Sequence, residues 1–227
     1  MHATESTSPS LCLRVRGERA CFSRPEMKVE RVSYDVMTPS AARGVLEAIM
    51  WKPQMRWLVE RIDVLAPIRK DRVRRNEVGE VASMANLKQV MKGKPASLGI
   101  DIEDARQQRA ALILRDVDYL IHCRIALTEK AESNDSLTKY TEMFRRRATA
   151  GQCFHRPYLG TREFACDFEL LANGESPVVA EPETRDLGWM LYDIDYSGTE
   201  PTPLFFEACL KNGSLFVPTP DSPEVVR

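Results

Sequence analysis

Between two strongly apolar strand signals, at 57–65 and 111–125, the chain carries residues 68–108, a stretch too polar and too charged to enter a core. The flanking strands must share a sheet while the insert leaves it, and an insert of that length usually has a job. The other elements fall into place around it. Leu11-Cys12-Leu13-Arg14-Val15-Arg16 alternates as a strand with one buried face, and Gly17 ends it. Thr38 is a good N-cap, Pro39 suits a first helical turn, and Val45, Leu46 and Ile49 form an apolar stripe that Pro53 stops near Trp51-Lys52. Trp57 to Leu65 reads as the second strand. The sheet resumes at Ala111–Leu114 and again at Tyr119–Ile125. A second helix is expected at roughly 136–150, with Leu137, Tyr140, Phe144 and Ala148 on its apolar stripe and Gly151 as its stop. Residues 188–196 and 204–217 read as strands, and Asn212-Gly213 marks a hairpin.

This order suits an α+β fold: a ferredoxin-like sheet with helices on one face, followed by a small extra antiparallel sheet. The composition, 43% hydrophobic and 29% charged over 227 residues, is that of one large globular domain or one with a small appendage. No apolar run approaches the roughly 20 residues that span a bilayer. The first residues, MHATESTSPS, lack a basic region followed by an apolar one and read as a frayed tail over 1–9 rather than a secretory signal. The six cysteines have no CxxC spacing and the three histidines are scattered, so free thiols, no structural metal and no cofactor are expected.

The net charge of −1 hides a segregation. Residues 1–162 hold 29 Lys and Arg against 20 Asp and Glu, a net +9; residues 163–200 hold one Arg against ten acids, a net −9. A basic body suits a polyanion, and the acidic stretch is expected to face solvent or a basic partner.

Five runs, taken in order, resemble one family: RACFSRPEMKVERVSYDVMTPSAARGVLEAI at 19–49, WKPQMRW at 51–57, RRNEV at 74–78, QRAALILRDVDYLI at 108–121 and CFHRPYLGTREFACDFE at 153–169. They are similar to the CRISPR-associated protein 5 family, in its type I-C variant, from about residue 10 to 218. The resemblance implies a ferredoxin-like (RRM-like, RAMP) RNA-binding domain over 10–170 with a basic insert at 68–108, and a C-terminal β subdomain at 171–227. It implies a subunit of the bacterial, cytoplasmic Cascade complex, which has no membrane role. This subunit cuts precursor CRISPR RNA within the repeat stem-loop without metal, then keeps the 5′ handle of the guide. Partners would be backbone subunits of the protein 7 family and a large subunit of the protein 8 family, with target DNA met indirectly. The alternative is a non-catalytic subunit that only caps the handle; a third possibility is an unrelated ferredoxin-like binding module.

Metal-independent cleavage makes the substrate's 2′-hydroxyl the nucleophile, so the site must accept its proton, hold the phosphate's extra charge and protonate the departing 5′ oxygen. A described family pattern puts a Tyr before the Trp-Lys-Pro run and a Lys-His pair at the start of the second helix. Here those positions hold Met50 and Lys139-Tyr140. Lys139 carries over, Tyr140 replaces the histidine, and the first hydroxyl is absent. With ordinary pKa values of about 10 and 10.4, Tyr and Lys are poor bases at neutral pH. His155 is therefore a further candidate acid or base, and the roles among Lys139, Tyr140 and His155 stay open. RNA-binding candidates are Lys28, Arg31, Arg43 and Lys52; Arg72, Arg74 and Arg75 in the insert; Arg145, Arg146, Arg147, Arg156 and Arg162; and Tyr34 and Tyr158 as flat faces for unpaired bases. The Leu159-Gly160-Thr161-Arg162 turn is a mild version of an anion loop.

Overall fold

A computed structural model describes residues 6–27, 29–172, 177, 179 and 184–227. Its elements are β1 (Leu11–Ala20), α1 (Pro39–Ile49), β2 (Met55–Val64), β3 (Arg69–Val78), α2 (Met84–Met91), α3 (Ile102–Ala105), β4 (Arg106–Leu127), α4 (Leu137–Thr149), β5 (Asp167–Leu170), β6 (Arg185–Asp195), β7 (Thr202–Lys211) and β8 (Ser214–Phe216). The strands form one sheet in the order β5-β1-β4-β2-β8-β7-β6, with β3 paired to β4 off this path. All these pairings are antiparallel. No helix among the described residues is long and apolar enough to cross a membrane.

The helices begin and end where local chemistry dictates. Thr38 accepts the Ala41 amide and Pro39 opens α1, whose Ala42, Val45, Leu46 and Ile49 are buried against the sheet. The helix stops at Met50, whose φ of −153° is extended, slightly before the expected Trp51-Lys52. Ser136 caps α4, and Gly151 ends it with a φ of +64°, a conformation that glycine adopts without strain. Alternation in β1 sends Leu11, Leu13 and Val15 into the core with α1 and α4, while Cys12, Arg14 and Arg16 take the opposite face. Asn212 and Gly213, at φ +52° and +76°, make the tight turn between β7 and β8.

Three expectations are corrected. The insert is not irregular: β3 pairs along its whole length with the first half of β4, making a two-stranded arm with α2 and α3 at its tip. The two strands expected at 111–125 are one 22-residue strand, bent at Asp116 (φ +51°), which serves the arm with its first half and the sheet with its second. The C-terminal strands are not a separate small sheet. β8 pairs with β2, and Met190, Phe206, Leu210 and Leu215 join the main core. Thr7 and Ser8, within the tail expected over 1–9, are tied to the sheet: Thr7 bridges Ala126 and the Ser8 hydroxyl accepts the Ile125 amide.

Candidate active site

Two of the three candidate catalytic residues meet at a carboxylate that the sequence reading did not single out. Asp135 precedes the N-cap of α4, and its Oδ1 receives the Tyr140 hydroxyl at 2.5 Å and the Lys139 ammonium at 3.0 Å. The Tyr140 hydrogen bond, the Glu132 amide and Lys139 together hold the Asp135 carboxyl down at about 2. Burial, then Asp135, push the Tyr140 phenol up to about 12. Tyr140 is only 3% exposed. The protonated phenol is thus favoured at neutral pH, where it donates a hydrogen bond to Asp135. Lys139 stays exposed at the start of α4. Met50, at the position of the family tyrosine, is fully buried.

His155 does not join that pair through any described contact. It is exposed, its amide reaches the Ala48 carbonyl at 3.3 Å, and its ring lies beside Phe154 and Tyr158. One cluster of Lys139, Tyr140 and His155 is thus not what these contacts build. Lys139 sits in the first turn of α4, whereas the loop bearing His155 leaves the helix's other end, about 15 Å away along the axis at Thr149.

The basic candidates divide by whether they are already engaged. Arg43, half-buried, is held by both Glu47 and Asp193. Arg31 pairs with Glu77, Arg156 with Asp167, and Arg145 weakly with Glu142. Arg75 pairs with Glu163 and lies over the Phe164 ring. Arg147 donates to the Ile49 carbonyl. Lys52, Arg72, Arg74, Arg146 and Arg162 are exposed and carry no ion pair among the described residues. Tyr34 is corrected: it is 1% exposed, Arg24 lies over its ring, and its hydroxyl accepts the Leu191 amide, so no base can stack on it. Tyr158 is half-buried. Lys28 lies outside the described residues.

Four of the acids between 163 and 200 pair with the basic body. Glu163, Asp167, Glu169 and Asp193 fold back onto Arg75, Arg156, Arg16 and Arg43. The turn at Gly160 has a packing reason. Its φ is +84°, and a Cβ there would stand 2.0 Å from the Cys21 carbonyl oxygen.

Two further features escaped the sequence reading. On the helix-free face of the sheet, His122 links Asp63 and Cys12, brought together by strand pairing across residues distant in the chain. Trp51 and Phe154 stand exposed at the end of α1. Among the described residues, no three His, Cys, Asp or Glu side chains converge as metal ligands.

A family profile described as CRISPR-associated protein (Cas_Cas5) matches residues 10–218. The chain belongs to this CRISPR-associated family. It is 50% identical over 220 residues to a protein of Mannheimia succiniciproducens named CRISPR pre-crRNA endoribonuclease Cas5d, covering 95% of this chain and 97% of that one. It is 44% identical over 235 residues to a Thermus thermophilus protein of the same name, covering 96% and 95%. Among solved structures, a CRISPR-associated protein matches with a TM-score of 0.71 at 22% identity, covering 99% of this chain and all of that one. A protein of Streptococcus mutans titled functionally uncharacterized, SMU1763c, matches at 0.69 and 21% identity with the same coverage. These two likenesses establish the mixed α/β fold with its mostly antiparallel sheet.

Proposed function

We propose that this chain is a pre-crRNA endoribonuclease that cleaves within the CRISPR repeat and retains the 5′ handle of the guide. The observation that carries the reading is 50% identity, along 95% of the chain, to a relative named for that activity. The body is ferredoxin-like: the pairing order β5-β1-β4-β2, with α1 after β1 and α4 after β4, is the arrangement of a split βαβ sheet. Cleavage proceeds by attack of the substrate's 2′-hydroxyl on the adjacent phosphate, without metal. It leaves a 5′-hydroxyl on the handle and a 2′,3′-cyclic phosphate on the upstream piece. Lys139 holds the phosphate's developing charge, because it is exposed and anchored at a helix N-terminus that favours anions. Tyr140, holding its proton, orients Lys139 and Asp135 rather than acting as base. His155, exposed in the loop that follows α4, is the remaining candidate for proton transfer.

The partners are the CRISPR RNA and, in a bacterial cytoplasmic Cascade complex, subunits of the protein 7 and protein 8 families. The exposed arm cations Arg72 and Arg74 lie along the RNA.

A second reading is favoured by one observation. Met50 is buried and has no proton to give, as a subunit that only caps the handle would tolerate. Incubating the purified chain with repeat RNA in EDTA separates the two. Release of the handle in chelator supports the endoribonuclease; tight, repeat-selective binding without cutting supports the cap; no preference for repeat RNA refutes both.

A further inference from the structure

Phe154 is 85% exposed and Trp51 57% exposed, whereas Trp57, six residues from Trp51, is 4% exposed. Large aromatic rings left in water on an otherwise charged surface mark a contact site. Both rings stand on the same rigid base. The last carbonyls of a helix have no partner within it. Here Ala48 O accepts the Phe154 amide at 2.8 Å, Ile49 O accepts Arg147 Nη1 at 3.1 Å, and Met50 O accepts Trp57 Nε1 at 2.9 Å. The end of α1 therefore fixes the loop that carries Phe154 and the residue just before Trp51. The rings are exposed, but their backbone is pinned.

The surrounding charge selects the partner. Lys52 adjoins Trp51, Arg146 lies in the last turn of α4, and both are exposed without an ion pair among the described residues. His155 and Tyr158 continue the aromatic run from Phe154, with ring centroids 5.9 and 6.4 Å apart in succession. On its other side Trp51 borders a cleft of about 1040 Å³ where Arg43 pairs with Glu47 and Asp193 and Arg227 pairs with Asp195. Lys52 and Arg146 are cations left without a carboxylate among the described residues and thus the ones to take phosphates. The core of a protein-docking patch is usually depleted of charge, whereas flat rings interleaved with cations suit unpaired nucleotides.

We infer that Trp51 and Phe154 form a stacking platform for unpaired nucleotides of the RNA, with Lys52 and Arg146 on the intervening phosphates. This rests on the endoribonuclease reading and adds to it the residues that position the single-stranded flank.

The test measures fluorescence anisotropy of a labelled, unstructured single-stranded RNA with the full-length chain and its W51A, F154A and double variants, at two salt concentrations. Cleavage of repeat RNA by the unaltered chain runs alongside. Each single alanine should weaken binding about ten-fold without changing the salt dependence, since stacking and not phosphate neutralisation is lost. F154Y should retain affinity. K52A and R146A should instead flatten the salt dependence. If the double variant binds RNA as tightly as the unaltered chain, while that chain still cuts repeat RNA, the platform is refuted and the rings serve a protein partner. If the unaltered chain neither binds nor cuts repeat RNA, the functional reading fails and the platform fails with it.

Discussion

The imidazole of His122 stands 2.6 Å from the Asp63 carboxylate, Nε2 to Oδ2, with both side chains largely buried in the sheet. Ser214 donates to the carboxylate's other oxygen, Arg61 approaches it at 3.0 Å, and the Cys12 sulfur lies 3.1 Å from Nδ1. Burial alone would lower the His122 pKa, but the Asp63 hydrogen bond, and then Cys12, hold it up at about 9. Burial would raise Asp63, yet His122, Ser214 and Arg61 hold it below the usual carboxylate range.

Stability should follow this pair. A histidine raised in the folded state contributes fully below its ordinary value near 6.5, and that contribution is lost as pH rises toward about 9. Thermal or urea unfolding across this window should show a loss on the order of 2 kcal/mol, and H122Q should flatten the profile. On the acid side, Asp63 adds stability that disappears as pH falls through its lowered pKa. An unchanged slope between pH 6.5 and 9 in H122Q would contradict the assignment.

Lys139→Ala should slow cleavage of repeat RNA by about a hundred-fold and weaken binding only modestly, measured by single-turnover kinetics beside a binding titration. An equal loss of both would reduce Lys139 to a phosphate clamp. Asp135→Asn removes the negative charge that helps hold the Tyr140 proton. Its tyrosinate should then form at a lower pH in an ultraviolet titration, since Asp135 no longer adds to the effect of burial.

Gly160→Ala should be among the most damaging single changes outside the core. The new methyl would collide with the Cys21 carbonyl, and φ of +84° strains any residue with a Cβ. A loss of about 2–4 kcal/mol in urea unfolding is expected. A loss below about 0.5 kcal/mol would show that the turn relaxes freely.

The arm cations should differ although they are adjacent in sequence. Arg74 is exposed and unpaired among the described residues, so Arg74→Ala should lower the slope of log affinity against log salt by about 0.7, the value for one single-strand phosphate. Arg75 is tied to Glu163, so Arg75→Ala should change that slope less. Glu163→Gln should strengthen RNA binding by freeing it. Equal slopes for the two alanine variants would show that the ion pair opens on binding.

What was legible in the sequence was what short-range chemistry specifies. Thr38-Pro39, Ser136 with Gly151, and Asn212-Gly213 set their own caps and turns, because capping and left-handed backbone depend on neighbours within a few residues. The alternation of β1 chose its buried face, and the five family-like runs placed the chain among its relatives. The arm was not legible, because the charged residues of β3 gain their strand from pairing with β4 rather than from their own propensity.

The site depended still more on tertiary structure. Composition along the chain put basic residues in one part and acids in another, yet Glu163, Asp167 and Asp193 pair in space with Arg75, Arg156 and Arg43. Tyr140 lies on the apolar stripe of its helix in sequence, whereas Tyr34 reads as an open face, and only packing showed Tyr34 to be buried and hydrogen-bonded. Coulomb and hydrogen-bond energies depend on distances that the chain's order does not contain. The sequence alone therefore determined the caps, the turns and the family, and the folded sheet decided the arm and which charges are free to meet a phosphate.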